Sequence, residues 1–208
     1  MKPKNNWTLF GAGNFIFDII DAIKANDGTV DYLVLNQKLE KSIEKQLPKE
    51  IEIIALNKFK PKTTNYFFGF IDPNKSELLE KLARFQIQFS NIIHPFAYVS
   101  DTVSLGSGNF IGPGVVLGPN VKLSNFNFFN RASSIGHNVE IGNFNHFGPA
   151  STVCGRCLIG DENFLGASST LIDGIKIANQ ILLGAGALVT RDLESPGTYV
   201  GIPAKLKK

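Results

Sequence analysis

Ile135-Gly136-His137-Asn138-Val139-Glu140-Ile141-Gly142-Asn143-Phe144-Asn145-His146-Phe147 carries a bulky apolar residue at every sixth position. The count runs on in both directions without an insertion. It takes in Ile93, Val99, Leu105, Ile111, Leu117, Leu123 and Phe129 before the stretch, and Val153, Ile159, Leu165, Leu171, Ile177, Leu183 and Val189 after it. A Gly follows the apolar residue at Gly106, Gly112, Gly118, Gly136, Gly142, Gly148, Gly160, Gly166 and Gly184. Neither the helical period nor strand alternation gives a strict six. A six-residue repeat marks a parallel β-helix, in which each repeat is one short strand and a turn. The apolar residue points inward, and the Gly eases the corner where the chain passes close to its neighbours. Three repeats make one coil, so residues eighteen apart stack.

The stacking has its own signature. Asn109, Asn127, Asn145 and Asn163 are eighteen apart and predict a ladder of side-chain amides bonded coil to coil. Ser133, Ser151 and Ser169 form a second column. Phe110, Phe128 and Phe164 form a third, expected to be an exposed aromatic stripe, and His146 interrupts it.

Outside the repeats the chain reads as a small α/β domain. Trp7–Phe10 predicts a buried strand, Gly11-Ala12-Gly13-Asn14 a tight turn, and Phe15–Ala25 a helix with one apolar face. Further strands are expected over Asp31–Leu35, Ile51–Ala55 and Tyr66–Ile71, with helices over Lys38–Gln46 and Ser76–Phe85. Strand, glycine turn and helix open a nucleotide-binding βαβ unit, where amides at the helix start face phosphate. Two readings of the turn stand side by side: a phosphate site, or a strand-to-helix turn without a ligand. The third Gly of a dinucleotide fingerprint is replaced by Ile16, and Asn36 stands where an NAD site wants an acid, which disfavours an NAD dehydrogenase. The expected organisation is therefore an α/β domain over 1–91, a β-helix over 92–190 and an extended tail over 191–208, with Leu206-Lys207-Lys208 as a frayed end.

Composition narrows the function. The net charge of +3 comes without a basic stripe, so nucleic acid is not an expected partner. Two Cys give no disulfide framework. The polar start, Met1–Asn6, is unlike a signal peptide, and no apolar run reaches the length of a membrane span, so a cytoplasmic protein is expected.

The three His are the first candidates for chemistry. His94, in Ile92-Ile93-His94-Pro95, begins the repeats and reads as structural. His137 follows the inward Ile135 by two and belongs at a corner, facing outward. Eighteen residues on, Gly155 stacks over it, so a backbone amide would lie one strand spacing from the imidazole. An amide beside a base suited to neutral pH is the outline of an oxyanion site. A solvated corner His is the plain alternative. His146 either stands in for an aromatic in packing or touches substrate. Cys154 and Cys157 lie on the prism rather than at a helix start, so packing is their expected role.

The glycine turn Gly11-Ala12-Gly13, the junction Ile93-His94-Pro95, the segment from Ile135 through His146 to Gly155 and the ending Tyr199-Val200-Gly201-Ile202-Pro203-Ala204-Lys205 together resemble the bacterial sugar acetyltransferases of the PglD/NeuD type. The resemblance covers nearly the whole chain. It implies a left-handed β-helix behind a Rossmann-like domain, a homotrimer with active sites in the clefts between prisms, and acetyl-CoA as co-substrate with no metal. It implies His137 as the base that takes a proton from a sugar amine, with Asn138 beside it and the Gly155 N–H at the developing oxyanion. It places Ala167, Gly184 and Ala185 on the pantetheine arm, Pro203 at the CoA end, and His146 near acceptor or cofactor. Gly11, Gly13, Asn14, Phe15 and Asn36 would hold the nucleotide of a nucleotide-linked amino sugar.

Three positions depart from the family. Asn138 replaces a common acid, and an amide orients the imidazole without adding charge. Phe15 replaces a His, and Asn36 replaces an Asp, which leaves UDP, GDP and dTDP open. The resulting expectation is N-acetylation of a 4-amino-4,6-dideoxyhexose for surface glycan or glycoprotein synthesis. O-acetylation of a sugar hydroxyl, a non-catalytic β-helix scaffold and a zinc hydratase are the other readings; the few His argue against the last.

Overall fold

The computed structural model describes residues 5–63, 65–71 and 75–207. The chain divides into two compact units, Met1–Pro95 and Phe96–Lys208.

The first unit is a parallel sheet of β1 (Asn6–Phe10), β2 (Thr29–Leu35), β3 (Glu52–Ala55) and β4 (Asn65–Phe68), in the order β3-β2-β1-β4. β1 lies centrally, with Leu9 paired to Leu33 on one side and to Phe67 on the other, and from Trp7 to Phe10 it is buried throughout, as a covered parallel strand must be. Helix α1 (Ile16–Ala25) buries Ile16, Ile19, Ile20 and Ile23, the face read from the sequence. Helix α2 (Lys41–Glu44) is shorter than expected, because only Ile43 gives it a buried anchor. β4 stops at Phe68 rather than Ile71: Gly69 turns, donates its N–H to Phe10 O at 2.9 Å and lies against the Gly11 carbonyl. Helix α3 spans Lys75–Ala83. Edge-to-face rings, Phe10 on Phe59 at 5.2 Å and Phe59 on Phe85 at 5.0 Å, fill one side of the sheet.

The second unit is a three-sided parallel β-helix. One face stacks Phe110–Ile111, Phe128–Phe129, His146–Phe147, Phe164–Leu165 and Ile181–Leu183. The next stacks Tyr98–Val99, Val116–Leu117, Ser134–Ile135, Thr152–Val153, Thr170–Leu171 and Leu188–Val189. The third stacks Ser104–Leu105, Lys122–Leu123, Glu140–Ile141, Leu158–Ile159 and Lys176–Ile177. Every stacked pair is eighteen residues apart. Each sixth residue from Ile111 to Val189 is buried, as the periodicity requires. A second inward position two residues earlier is buried as well, and this is where the ladder sits. Asn127, Asn145 and Asn163 each donate the backbone N–H to the side-chain oxygen of the Asn one coil before, at 2.9 Å.

The corners are built from two different positions. Every sixth residue from Gly108 to Gly186 has a positive φ, between 54 and 77°, and most are not Gly. The repeated Gly lies two residues earlier and serves close approach instead. A Cβ at Gly136 would stand 2.7 Å from Gly155 N, and one at Gly148 would stand 2.7 Å from Leu165 O.

Two expectations change. The aromatic column is not exposed as a stripe: Phe110 and Phe128 lie flat on each other at 4.5 Å and are both 2 % exposed, and only Phe164, at 41 %, is open. The tail is more ordered than a frayed end. Gly197–Val200 pairs in parallel with Ile181–Leu183, and Lys205–Leu206 returns antiparallel on Tyr199–Val200. Backbone pairing fixes this segment although the Leu206 side chain stays exposed. Lys208 lies outside the described residues.

Candidate active site

His137, Asn138 and Gly155 come together at one corner of the β-helix. Asn138 takes the left-handed corner conformation, φ 58°, which Asn tolerates better than most residues. Its Oδ1 then lies 3.0 Å from His137 Nδ1. With the Nδ1 proton donated to that oxygen, Nε2 is left with its lone pair. The ring lies over Gly155, where a Cβ would stand 2.7 Å from Nε2 and 2.8 Å from Cε1. Gly155 is buried beneath the imidazole, while His137 itself is exposed. No other residue than Gly fits under this ring without displacing it.

Backbone donors separate this corner from its neighbours. In the column Ser107, Asn125, Asn143 and Asp161, each N–H donates to the side-chain oxygen one coil later, at distances from 2.6 to 3.1 Å. The Gly155 N–H has no acceptor among the described residues, and neither do the N–H groups of Ala167 and Ala185 at another corner. Ala167, Gly184 and Ala185 are close together there: Gly186 N–H donates to Ala167 O at 2.8 Å, and a Cβ on Gly166 would lie 2.7 Å from Ala185 N. A Cβ on Gly184 would lie 2.8 Å from Val200. Pro203 is exposed in the tail, which is tied down by Ala204 N–H on Leu188 O at 2.7 Å.

His146 is half-buried on a strand, not at the corner of His137. Its ring lies between Phe128 at 5.3 Å and Phe164 at 4.6 Å, the apolar setting expected of it. Cys157 is buried, with Sγ 3.2 Å from Ile172 O, and burial pushes its thiol pKa up. Among the described residues, no group of three or more His, Cys, Asp and Glu side chains is arranged to hold a metal ion.

Two residues at the His137 corner escaped the sequence reading. Asp173 stacks on Gly155, its Oδ1 lying 3.0 Å from the point a Gly155 Cβ would occupy. Its Oδ2 pairs with Arg156 Nη2. The signal was available: the count of eighteen that leads from His137 to Gly155 leads on to Asp173.

In the first unit, the glycine turn works differently from a simple amide cradle. Gly11 N–H donates to Val34 O at 2.8 Å and Gly13 N–H to Gly69 O at 2.9 Å, so neither is left for a phosphate. Both glycines make room for Phe70, whose ring atoms would be 2.6 Å from a Cβ at Gly11. The Ala12 and Asn14 N–H groups have no acceptor among the described residues, and Asn14 is exposed just before α1. Phe15 is half-buried at the helix start. Asn36 follows β2 at the rim of a cavity of about 620 Å³, lined also by Leu35, Asn57, Glu80, Lys81 and Arg84. This cavity lies at the carboxyl ends of β2 and β3, where open parallel sheets take ligands. Asn57 and Arg84 could not be foreseen, since no repeat or motif marks them.

No protein-family model matches the chain, and no curated protein matches it. Solved structures do. PerB from Caulobacter crescentus, in complex with CoA and GDP-perosamine, is 25% identical, with 98% of this chain and 97% of that one covered and a TM-score of 0.84. The acetyltransferase domain of PglB from Neisseria gonorrhoeae, in complex with acetyl coenzyme A, is 20% identical, with coverage of 98% and 100% and a TM-score of 0.86. WeeI from Acinetobacter baumannii is 17% identical, with coverage of 97% and 99% and a TM-score of 0.74. From the first strand to the paired tail, this chain has the fold of the sugar acetyltransferases of the hexapeptide β-helix type.

Proposed function

We propose that this protein is an acetyl-CoA-dependent N-acetyltransferase acting on a nucleotide-linked amino sugar, a 4-amino-4,6-dideoxyhexose, with His137 as general base. The observation that carries the reading is the His137 imidazole, oriented through Nδ1 by Asn138 and lying over the side-chain-free Gly155. The CoA, acetyl-CoA and GDP-perosamine complexes of the similar structures support it.

Acetyl-CoA supplies the acyl group as a thioester. The sugar nitrogen attacks the acyl carbon, its N–C bond forms as the C–S bond breaks, and His137 Nε2 takes the proton the nitrogen loses. The departing thiolate recovers that proton. Negative charge building on the acyl oxygen is met by the Gly155 N–H, a donor fixed in place before the reaction. The Ala167 and Ala185 N–H groups bind amide oxygens of the pantetheine arm, and Gly184 keeps the strand edge low beside them. Pro203 covers the far end of CoA, and His146 contributes from the adjacent face.

The nucleotide belongs to the first unit. Asn14 and Ala12 offer N–H groups to phosphate at the start of α1, whose dipole favours the anion. Gly11 and Gly13 shape the turn, Phe15 packs beside it, and Asn36 reads the base or ribose from the rim of the cavity. In this reading 1–91 binds the nucleotide sugar, 92–190 is the β-helix that carries out transfer, and 191–208 is an extended tail. A cytoplasmic homotrimer is the form proposed, in which the exposed Phe164 and Leu182 face another subunit.

The test is thiol release from acetyl-CoA with UDP-, GDP- and dTDP-linked 4-amino sugars, for wild type and His137→Ala. Turnover of one sugar, lost in the variant, supports the reading and identifies the nucleotide. Acetyl-CoA binding without turnover of any amine redirects it to a hydroxyl acceptor.

A further inference from the structure

We propose that Asp173 is an acceptor-binding residue that makes this site selective for an amine over a hydroxyl. The inference rests on the acetyltransferase reading and adds a residue to it.

His137 Nε2 and Asp173 Oδ1 lie 2.7 and 3.0 Å from one point, the place a Gly155 side chain would fill. The two atoms are therefore at most 5.7 Å apart, the sum of those distances. A nitrogen about 2.9 Å from each is a normal hydrogen-bond donor to both. Asp173 is held for the purpose: Oδ2 pairs with Arg156 Nη2, which leaves Oδ1 turned toward Gly155.

The chemistry follows from counting hydrogens. A primary amine carries two, and a hydroxyl carries one. His137 Nε2 takes one hydrogen in the reaction, so only an amine has a second to give Asp173. A hydroxyl in the same position leaves the carboxylate facing an oxygen lone pair, which repels it. Position 138 carries no acid behind the ring, and the carboxylate of this corner stands instead at Asp173, two coils from His137 on the acceptor side.

The experiment compares wild type, Asp173→Asn, Asp173→Glu and Arg156→Gln. It measures kcat/KM for the amino sugar, KM for acetyl-CoA, and inhibition by the analogue with a hydroxyl in place of the amine. Asp173→Asn should lower kcat/KM for the amine by about 10- to 100-fold, the loss of a hydrogen bond to a charged group. Acetyl-CoA KM should move less than about threefold, and the hydroxyl analogue should inhibit more strongly because the carboxylate that repels it is gone; Asp173→Glu should recover part of the loss, and Arg156→Gln, which loosens Asp173 without removing its carboxylate, should lose less than Asp173→Asn. Amine turnover by Asp173→Asn at the wild-type rate overturns the inference. So does an equal loss in Arg156→Gln, or a loss that weakens amine, hydroxyl analogue and acetyl-CoA alike, since a structural role would give either. A wild type that acetylates no amino sugar overturns the proposed function itself, and the role of Asp173 with it.

Discussion

The Nε2 atom of His137 lies 2.7 Å from the point at which any side chain on Gly155 would place its first carbon. The two residues are eighteen apart in sequence and one coil apart in the prism. Gly155→Ala must push the imidazole off its position. Turnover should fall at least about 100-fold, as a displacement of reacting groups by about 1 Å does. The thermal midpoint should change little, because His137 is exposed and can swing into solvent. Steady-state kinetics beside a melting curve separate the two effects.

Asn138 holds the other side of the ring. In Asn138→Asp a carboxylate faces Nδ1, and its charge favours the protonated imidazole. A base must be neutral to act, so the acidic limb of the pH–rate profile should move to higher pH. Asn138→Ala removes the orienting oxygen and places Ala at φ 58°, so turnover should fall by about tenfold without moving that limb. The full pH dependence of kcat/KM for the three proteins checks both.

The inner ladder should matter far more for stability than its outer counterpart. Asn145 is 1 % exposed, and its Oδ1 accepts the Asn163 N–H at 2.9 Å. Asn145→Ala strands that buried donor and leaves a cavity, at a cost of about 2 to 4 kcal/mol. Asn125, half-buried at the corner, accepts the Ser107 N–H at 2.9 Å, yet water can replace it. Asn125→Ala should cost about 1 kcal/mol. Denaturant titrations of the two variants test the difference.

Cys157 should be inert while the protein is folded. Burial pushes its thiol pKa above the ordinary value, so the nucleophilic thiolate is suppressed as well as covered. Because the folded value is the higher one, the contribution to stability is complete below the unfolded thiol's pKa. It fades as pH rises through the folded value. Alkylation of the native protein at neutral pH should label the half-buried Cys154 and spare Cys157 until denaturant is added, as counted by mass spectrometry.

The repeat was legible because a β-helix repeats its backbone bonds every coil, so one six-residue count sets all three faces. It also brought His137 to Gly155. Carried one step further it reaches Asp173, which a search for His and Gly alone passes over. Exposure was less legible: Phe110 and Phe128 face outward in the pattern, but their rings lie on each other and are covered. Nor does sequence show that the N–H groups of Gly11 and Gly13 are already taken, since their acceptors, Val34 and Gly69, come from other parts of the sheet. Helix α2 shrank because a polar run with one buried Ile43 lacks the packing that sustains a longer helix.

The most direct measurement is the mass of a nucleotide-linked 4-amino sugar after incubation with acetyl-CoA and this protein. One added acetyl group, bound through the sugar nitrogen, is expected, and none when His137→Ala replaces the wild type. An unmodified sugar across the UDP, GDP and dTDP series, from a protein that also fails to bind acetyl-CoA, would contradict the acetyltransferase reading.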